Sequence, residues 1–111
     1  MSVQVLISQK GPLPISVAFN SPGDLTAVLE VNGSVWTQTA NQMIGIQIQL
    51  DGVNLGQANI FSNTASTHRA VVPAYFKVPL KYGVQHKLVL SAATGSTTSD
   101  LNDLFTAVIH Y

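Results

Sequence analysis

Apolar side chains recur at every second position through most of this sequence, and no other feature restricts the possible folds so strongly. Ile44, Ile46, Ile48 and Leu50 alternate with Gly45, Gln47 and Gln49. Ile15, Val17 and Phe19 alternate with Ser16 and Ala18, and Leu25, Ala27, Leu29 and Val31 with Thr26 and Glu30. His86, Leu88 and Leu90 alternate with Gln85, Lys87 and Ser91. Successive side chains of a strand point to opposite faces, so each set lines one buried face. No window carries a helical period. The chain reads as all-β.

Turn chemistry separates these runs. Asn32-Gly33 and Asp51-Gly52 are hairpin signals, because both residue types tolerate positive φ. Ser21-Pro22-Gly23-Asp24 and Tyr82-Gly83 mark further reversals, and Gly11-Pro12-Leu13-Pro14 divides the first strand from the second. The pattern predicts eight or nine strands, at about 3–8, 15–20, 25–31, 34–38, 43–51, 53–60, 69–79, 85–92 and 103–111. Pro73 and Pro79 put the long seventh stretch at an edge or kink it. Many short strands in 111 residues, with no linker or repeat, describe one sandwich or barrel domain over 1–111.

Composition narrows function. Hydrophobic residues make up 46% and charged residues 9%, against roughly 25% charged in typical domains. Five Lys and Arg balance five Asp and Glu, so nothing steers the chain toward phosphates or anionic lipid. Without cysteine there is no disulfide, thiolate nucleophile or zinc–thiolate site. No segment approaches the roughly 18 apolar residues of a membrane helix, and Met1-Ser2-Val3-Gln4-Val5 lacks the basic start of a signal peptide. The expectation is a soluble product made in the cytoplasm. A neutral chain with a mean hydropathy of +0.28 also invites organised self-association.

The last strand sharpens that point. Phe105, Ala107, Ile109 and Tyr111 form one face, while Leu104 and Val108 make the other partly apolar. Such a strand is either central in its sheet or covered by another chain. Coverage is favoured here, because termini fray unless tied down. Phe105, Ala107, Ile109, His110 and Tyr111 are therefore the expected oligomer interface.

From Asp51 onward the residues Leu50-Asp51-Gly52, Thr67-His68-Arg69-Ala70-Val71-Val72-Pro73, Gly83-Val84-Gln85-His86-Lys87-Leu88-Val89-Leu90 and Ser99-Asp100-Leu101-Asn102-Asp103-Leu104-Phe105 form a recognisable series. It resembles the C1q/TNF-like jelly-roll modules of bacterial and bacteriophage proteins, over a little more than half the chain. The resemblance implies a two-sheet jelly roll of ten-strand scale in a compact homotrimer. It also implies a receptor-binding head, adhesin, lectin or virion component.

Catalytic chemistry is hard to find. There is no Gly-x-Ser-x-Gly elbow for a serine hydrolase. His68, His86 and His110 fall on different strands or strand edges without metal-ligand spacing. His86 shares a face with Leu88 and Leu90, as a core or interface histidine would. Asp100 and Asp103 read as turn formers; calcium held by Asp100, Asn102 and Asp103 is the other reading, though the run lacks an EF-hand's spacing. No catalytic residue, cofactor or metal is assigned.

For binding, the candidates are Trp36, His68, Arg69 and Tyr75. An indole offers a flat apolar face with a polar tip, although a core tryptophan fits position 36 as well. Arg69, the lone arginine, could meet a hydroxyl-rich or anionic ligand, or pair with Glu30 or an Asp. The sequence thus points to a non-enzymatic trimeric structural or adhesive module, a phage decoration or fibre-head protein. Its partners would be copies of itself and a virion or cell-surface component. The alternative is a carbohydrate-binding lectin.

Overall fold

The computed structural model describes residues 1–111. The alternating segments form nine strands: β1 (Val3–Lys10), β2 (Ile15–Asn20), β3 (Leu25–Val35), β4 (Gln42–Leu50), β5 (Val53–Ser62), β6 (Arg69–Ala70), β7 (Ala74–Leu80), β8 (Gln85–Ala92) and β9 (Leu104–His110). One antiparallel sheet runs β1-β9-β3, with β6 and β7 both pairing along the far side of β3. The other runs β2-β8-β4-β5. If β6 and β7 are counted as one interrupted strand, this nested order is an eight-stranded jelly roll. Trp36 lies beyond β3, in an isolated bridge to Thr98.

The period-two sets do face inward. Ile44, Ile46 and Ile48 from β4 meet Leu88 and Leu90 from β8 and Leu29 and Val31 from β3 in a core of 20 buried residues. The Asp51-Gly52 hairpin forms as expected: Leu50 pairs with Val53, and both turn residues adopt positive φ, 53° and 81°.

Asn32-Gly33 does not make a hairpin. β3 runs straight through it, pairing Asn32 with Thr106 and Gly33 with Phe105. The glycine is there for space rather than for its φ. A Cβ at position 33 would lie 2.5 Å from Phe105 Cδ1 and 2.9 Å from Ile46 Cδ1, closer than packed carbons can approach. The long seventh stretch, expected at an edge or kinked, lies at the edge beside β3 and is interrupted, Val71-Val72-Pro73 separating β6 from β7.

The expected oligomer interface needs correction. β9 is central, hydrogen-bonded to β1 on one side and β3 on the other. Phe105, Ala107 and Ile109 are at most 1% exposed within a single chain. Their apolar character is satisfied by the opposite sheet, so no second copy is needed to explain it. His110 points to the other face, where its Nε2 lies 2.9 Å from Glu30 Oε1. Tyr111 is held by a pair of backbone hydrogen bonds to Ser2, which stops the end from fraying.

Pairing direction also decides which loops meet. β1 and β3 run one way in their sheet, and β7 and β9 run the other. The β1–β2, β3–β4, β5–β6 and β8–β9 connections therefore emerge at one end of the sandwich. The β2–β3, β4–β5 and β7–β8 turns lie at the other.

Candidate functional site

The β8–β9 loop stitches together the end where four connections converge. Trp36 of the β3–β4 loop exchanges two backbone hydrogen bonds with Thr98, of 2.9 and 2.8 Å. The Leu13 amide of the β1–β2 loop donates to Ser99 Oγ at 2.8 Å, and the Gly11 amide donates to the Asp103 carbonyl at 2.8 Å. Ser66 of the β5–β6 loop donates its amide to the Thr37 carbonyl at 2.7 Å. These ties make the end a preformed surface.

Asp103 is the hub. Its side chain is fully buried, and both oxygens accept hydrogen bonds. Oδ1 takes the Ser34 hydroxyl at 2.7 Å and lies 2.6 Å from His68 Nδ1, while Oδ2 takes the Asp100 amide at 2.9 Å. A buried carboxylate is tolerated only when its oxygens are satisfied in this way. Asp100 closes its own turn, accepting the Asn102 amide on Oδ1 at 2.8 Å. Both aspartates thus do the turn-forming work that their residue type favours.

The bond to Asp103 raises the His68 pKa above the usual 6.5; desolvation opposes it, and the charges of Asp103 and Asp100 add to the rise. His68 stays partly exposed, with Nε2 3.9 Å from Asp100 Oδ2. The Trp36 ring lies against it at a centroid distance of 5.9 Å. Two donors at this end, Trp36 Nε1 and Arg69 Nε, are buried with no protein partner.

Beside the Trp36–Thr98 bridge is a cavity of about 210 Å³. Thr37, Gln38, Thr39, Gly95, Ser96 and Thr98 line it, and no hydrophobic side chain does. Its floor is rigid. Thr37 is buried, donating through Oγ1 to the Thr39 carbonyl at 2.9 Å and accepting the Thr39 amide at 3.2 Å. Ser96 Oγ donates to Gln42 Oε1 at 2.9 Å.

Of the four binding candidates, the fold gathers Trp36, His68 and Arg69 at this end, where Trp36 and His68 meet partners in the distant β8–β9 loop. Arg69 donates to Thr64 Oγ1 at 3.2 Å rather than pairing with Glu30 or an aspartate. Tyr75 stands apart, exposed on the outer face of the first sheet and opposite Glu30. The cavity residues carried little signal in the sequence: Thr37 and Gln38 fell in the strand expected at about 34–38, whereas β3 ends at Val35, and Thr94–Ser99 is simply a polar run.

No protein-family model matches the sequence, and no curated protein matches it. Solved structures share its architecture. Dimeric latent PorU from Porphyromonas gingivalis is 12% identical, with a TM-score of 0.51 over 96% of this chain and 11% of that one. The chain thus spans about a tenth of that protein, and the likeness is one of fold. The EclA C-terminal domain, a sugar-binding protein, is 13% identical, with a TM-score of 0.46 over 98% of this chain and 77% of that one. A carbohydrate-binding module, CBM36, solved with calcium and xylotriose, is 12% identical, with a TM-score of 0.41 over 99% and 98% of the two chains. The class that the fold and site define is a jelly-roll β-sandwich with a polar cavity among the loops at one end.

The opposite end holds a second histidine–carboxylate pair. His86 is 5% exposed, the core side of the core-or-interface reading made from its Leu88 and Leu90 face, and its ring stacks on Phe19. Its Nδ1 lies 2.7 Å from Asp51 Oδ2, and Asp51 Oδ1 accepts the Lys87 amide at 2.8 Å. Desolvation pushes the Asp51 pKa up, but the His86 and Lys87 hydrogen bonds and the His86 charge outweigh it, leaving Asp51 below 3.8. A folded-state pKa below the unfolded value stabilises the fold above pH 3.8, and that contribution is lost as pH falls through the folded pKa. Asp51→Asn should therefore flatten the acid limb of the stability–pH curve while leaving its neutral shape unchanged. Urea melts from acid to neutral pH measure this directly, and an unaltered acid limb would contradict it.

Proposed function

We propose that this protein is a non-catalytic carbohydrate-binding module whose site is the cavity at the loop end of the sandwich. The observation that carries this reading is the lining. Thr37, Gln38, Thr39, Gly95, Ser96 and Thr98 offer hydroxyl, amide and backbone groups with no charge and no apolar side chain. A sugar presents matching donors and acceptors around a ring, and neutral groups can exchange water for its hydroxyls without a large desolvation cost. The cross-bonded loops support the reading, because a preformed site loses little entropy on binding.

Gln38 and Thr39 are exposed, and the Thr39 side chain has no hydrogen-bonding role in the fold. Gln38→Ala and Thr39→Ala should therefore weaken glycan binding by roughly ten-fold each, at about 1.4 kcal/mol, with thermal stability unchanged. A glycan array followed by calorimetry on the best hit tests this. No glycan retained by the wild type, or equal affinity in both variants, would reject it.

A second reading has its own observation. The outer face of the first sheet exposes Val3, Val5, Leu104 and Tyr75, and Val5 sits opposite Val108 in the ladder. A C1q/TNF-like homotrimer acting as a virion or cell-surface component would use such a face. Light scattering distinguishes the two: a particle three times 11.8 kDa supports assembly, and one of 11.8 kDa rejects it.

A further inference from the structure

The geometry points to a divalent transition-metal site, best suited to zinc, held by His68 Nε2 and Asp100 Oδ2 and oriented by Asp103. It shares no residue with the cavity above and does not depend on the glycan reading.

Three features of the cluster carry this. First, His68, Asp100 and Asp103 each bring a ligand atom within 4.8 Å of the others. They come from the β5–β6 and β8–β9 loops, which the stitching at this end holds in place. Second, the inner bond is already made. Asp103 is buried, 2.6 Å from His68 Nδ1, and anchored by Ser34 and the Asp100 amide. With the carboxylate as acceptor, Nδ1 carries the proton and the Nε2 lone pair points away from it. This is the carboxylate–histidine arrangement that orients metal-binding imidazoles and raises their basicity. Third, Nε2 faces Asp100 Oδ2 across 3.9 Å, with no protein hydrogen bond joining them. In the neutral ring Nε2 sets a lone pair against that anionic oxygen, a contact that either a proton on Nε2 or a metal ion between the two atoms relieves.

The gap suits an ion. Zinc bonds of roughly 2.1 Å to nitrogen and oxygen place two tetrahedral ligand atoms about 3.4 Å apart. Closing by about half an ångström falls within the freedom of Asp100, whose side chain is 40% exposed. One imidazole and one carboxylate favour zinc, nickel or copper over calcium, which prefers oxygen ligands alone. With two protein ligands, the remaining positions would be filled by water.

Zinc chloride titrated calorimetrically into the full chain at about pH 7.5, where a metal-binding imidazole is neutral, tests the assignment. One zinc ion should bind per chain, with His68→Ala weakening it at least ten-fold. Asp100→Asn, which keeps its turn-closing oxygen, should weaken it comparably. Asp103→Asn should cost roughly 10- to 100-fold, as loss of an orienting carboxylate does. Because Asp103→Asn also risks the fold, circular dichroism accompanies it, and the other two variants decide the outcome. In the wild type, the side-chain nitrogen resonance of His68 Nε2 should shift with zinc. Affinity unchanged in both His68→Ala and Asp100→Asn would overturn the site, since it would place the ion elsewhere, for instance at His110 and Glu30. Calcium binding tighter than zinc and indifferent to His68→Ala would overturn it too.

Discussion

Phe105→Ala is expected to destabilise the protein by about 3–5 kcal/mol, a large share of what holds a domain of this size folded. Phe105 is fully buried, and its ring occupies space left by two missing side chains. A Cβ on Gly33 would meet its Cδ1 at 2.5 Å, and one on Gly11 would meet its Cε2 at 3.0 Å. Gly33 and Gly11 themselves offer no side chain that could swing in to fill the void. The site therefore collapses poorly, and poor collapse is what moves a cavity mutant toward the upper end of its range. At roughly 4 °C per kcal/mol for a chain of this length, the melting temperature should fall by about 12–20 °C. Differential scanning calorimetry of the two proteins at one concentration measures it. A drop below about 4 °C would mean that the ring is not the keystone described.

Asp103→Ala should cost about 2–4 kcal/mol, and the loss should concentrate at one end of the molecule. The substitution leaves the Ser34 hydroxyl and the Asp100 amide without acceptors and frees His68. A buried donor left unmatched costs about 1–3 kcal/mol in its own right. The β8–β9 loop is also the seam for the other three connections. Hydrogen exchange should therefore quicken at the Asp100 and Gly11 amides while the β4 and β8 amides change only with global stability. Uniform acceleration across both sheets would argue that Asp103 supports the core generally rather than the loop end. Asp103→Asn, which preserves volume, should fall between wild type and alanine.

Several elements could be read from residue order because their causes are local. Alternation in Ile44–Leu50 states which face of a strand is apolar, and any partner sheet must cover that face. Asp51-Gly52 made its turn because its backbone preference was not opposed by packing. Asn32-Gly33 carried the same local signal and gave a continuous strand. What differed lay far along the chain, where Phe105 needed the room. A glycine that permits positive φ and one that permits close approach look alike in sequence. The final strand was ambiguous for a related reason: a strand apolar on both sides states that it is covered but not by what. β1 and β3 cover its edges, and the opposite sheet covers Phe105, Ala107 and Ile109.

The loop end shows the same division. His68 and Asp103 are 35 residues apart, so no spacing rule could join them. Thr37 and Gln38 read as the end of a strand and Thr94–Ser99 as an ordinary polar connection, until antiparallel pairing brought both to one cavity.

By itself, then, residue order determined the all-β class, the inward faces, most strand positions and the low charge. These follow from side-chain period, turn preference and composition, which act over a few neighbouring residues. Tertiary structure alone decided that β9 is central, that Gly33 yields space to an aromatic ring, and that four loops converge around Asp103. Each of those depends on which distant segments come to lie side by side, and that is settled by the burial energy of the whole sandwich rather than by any local preference.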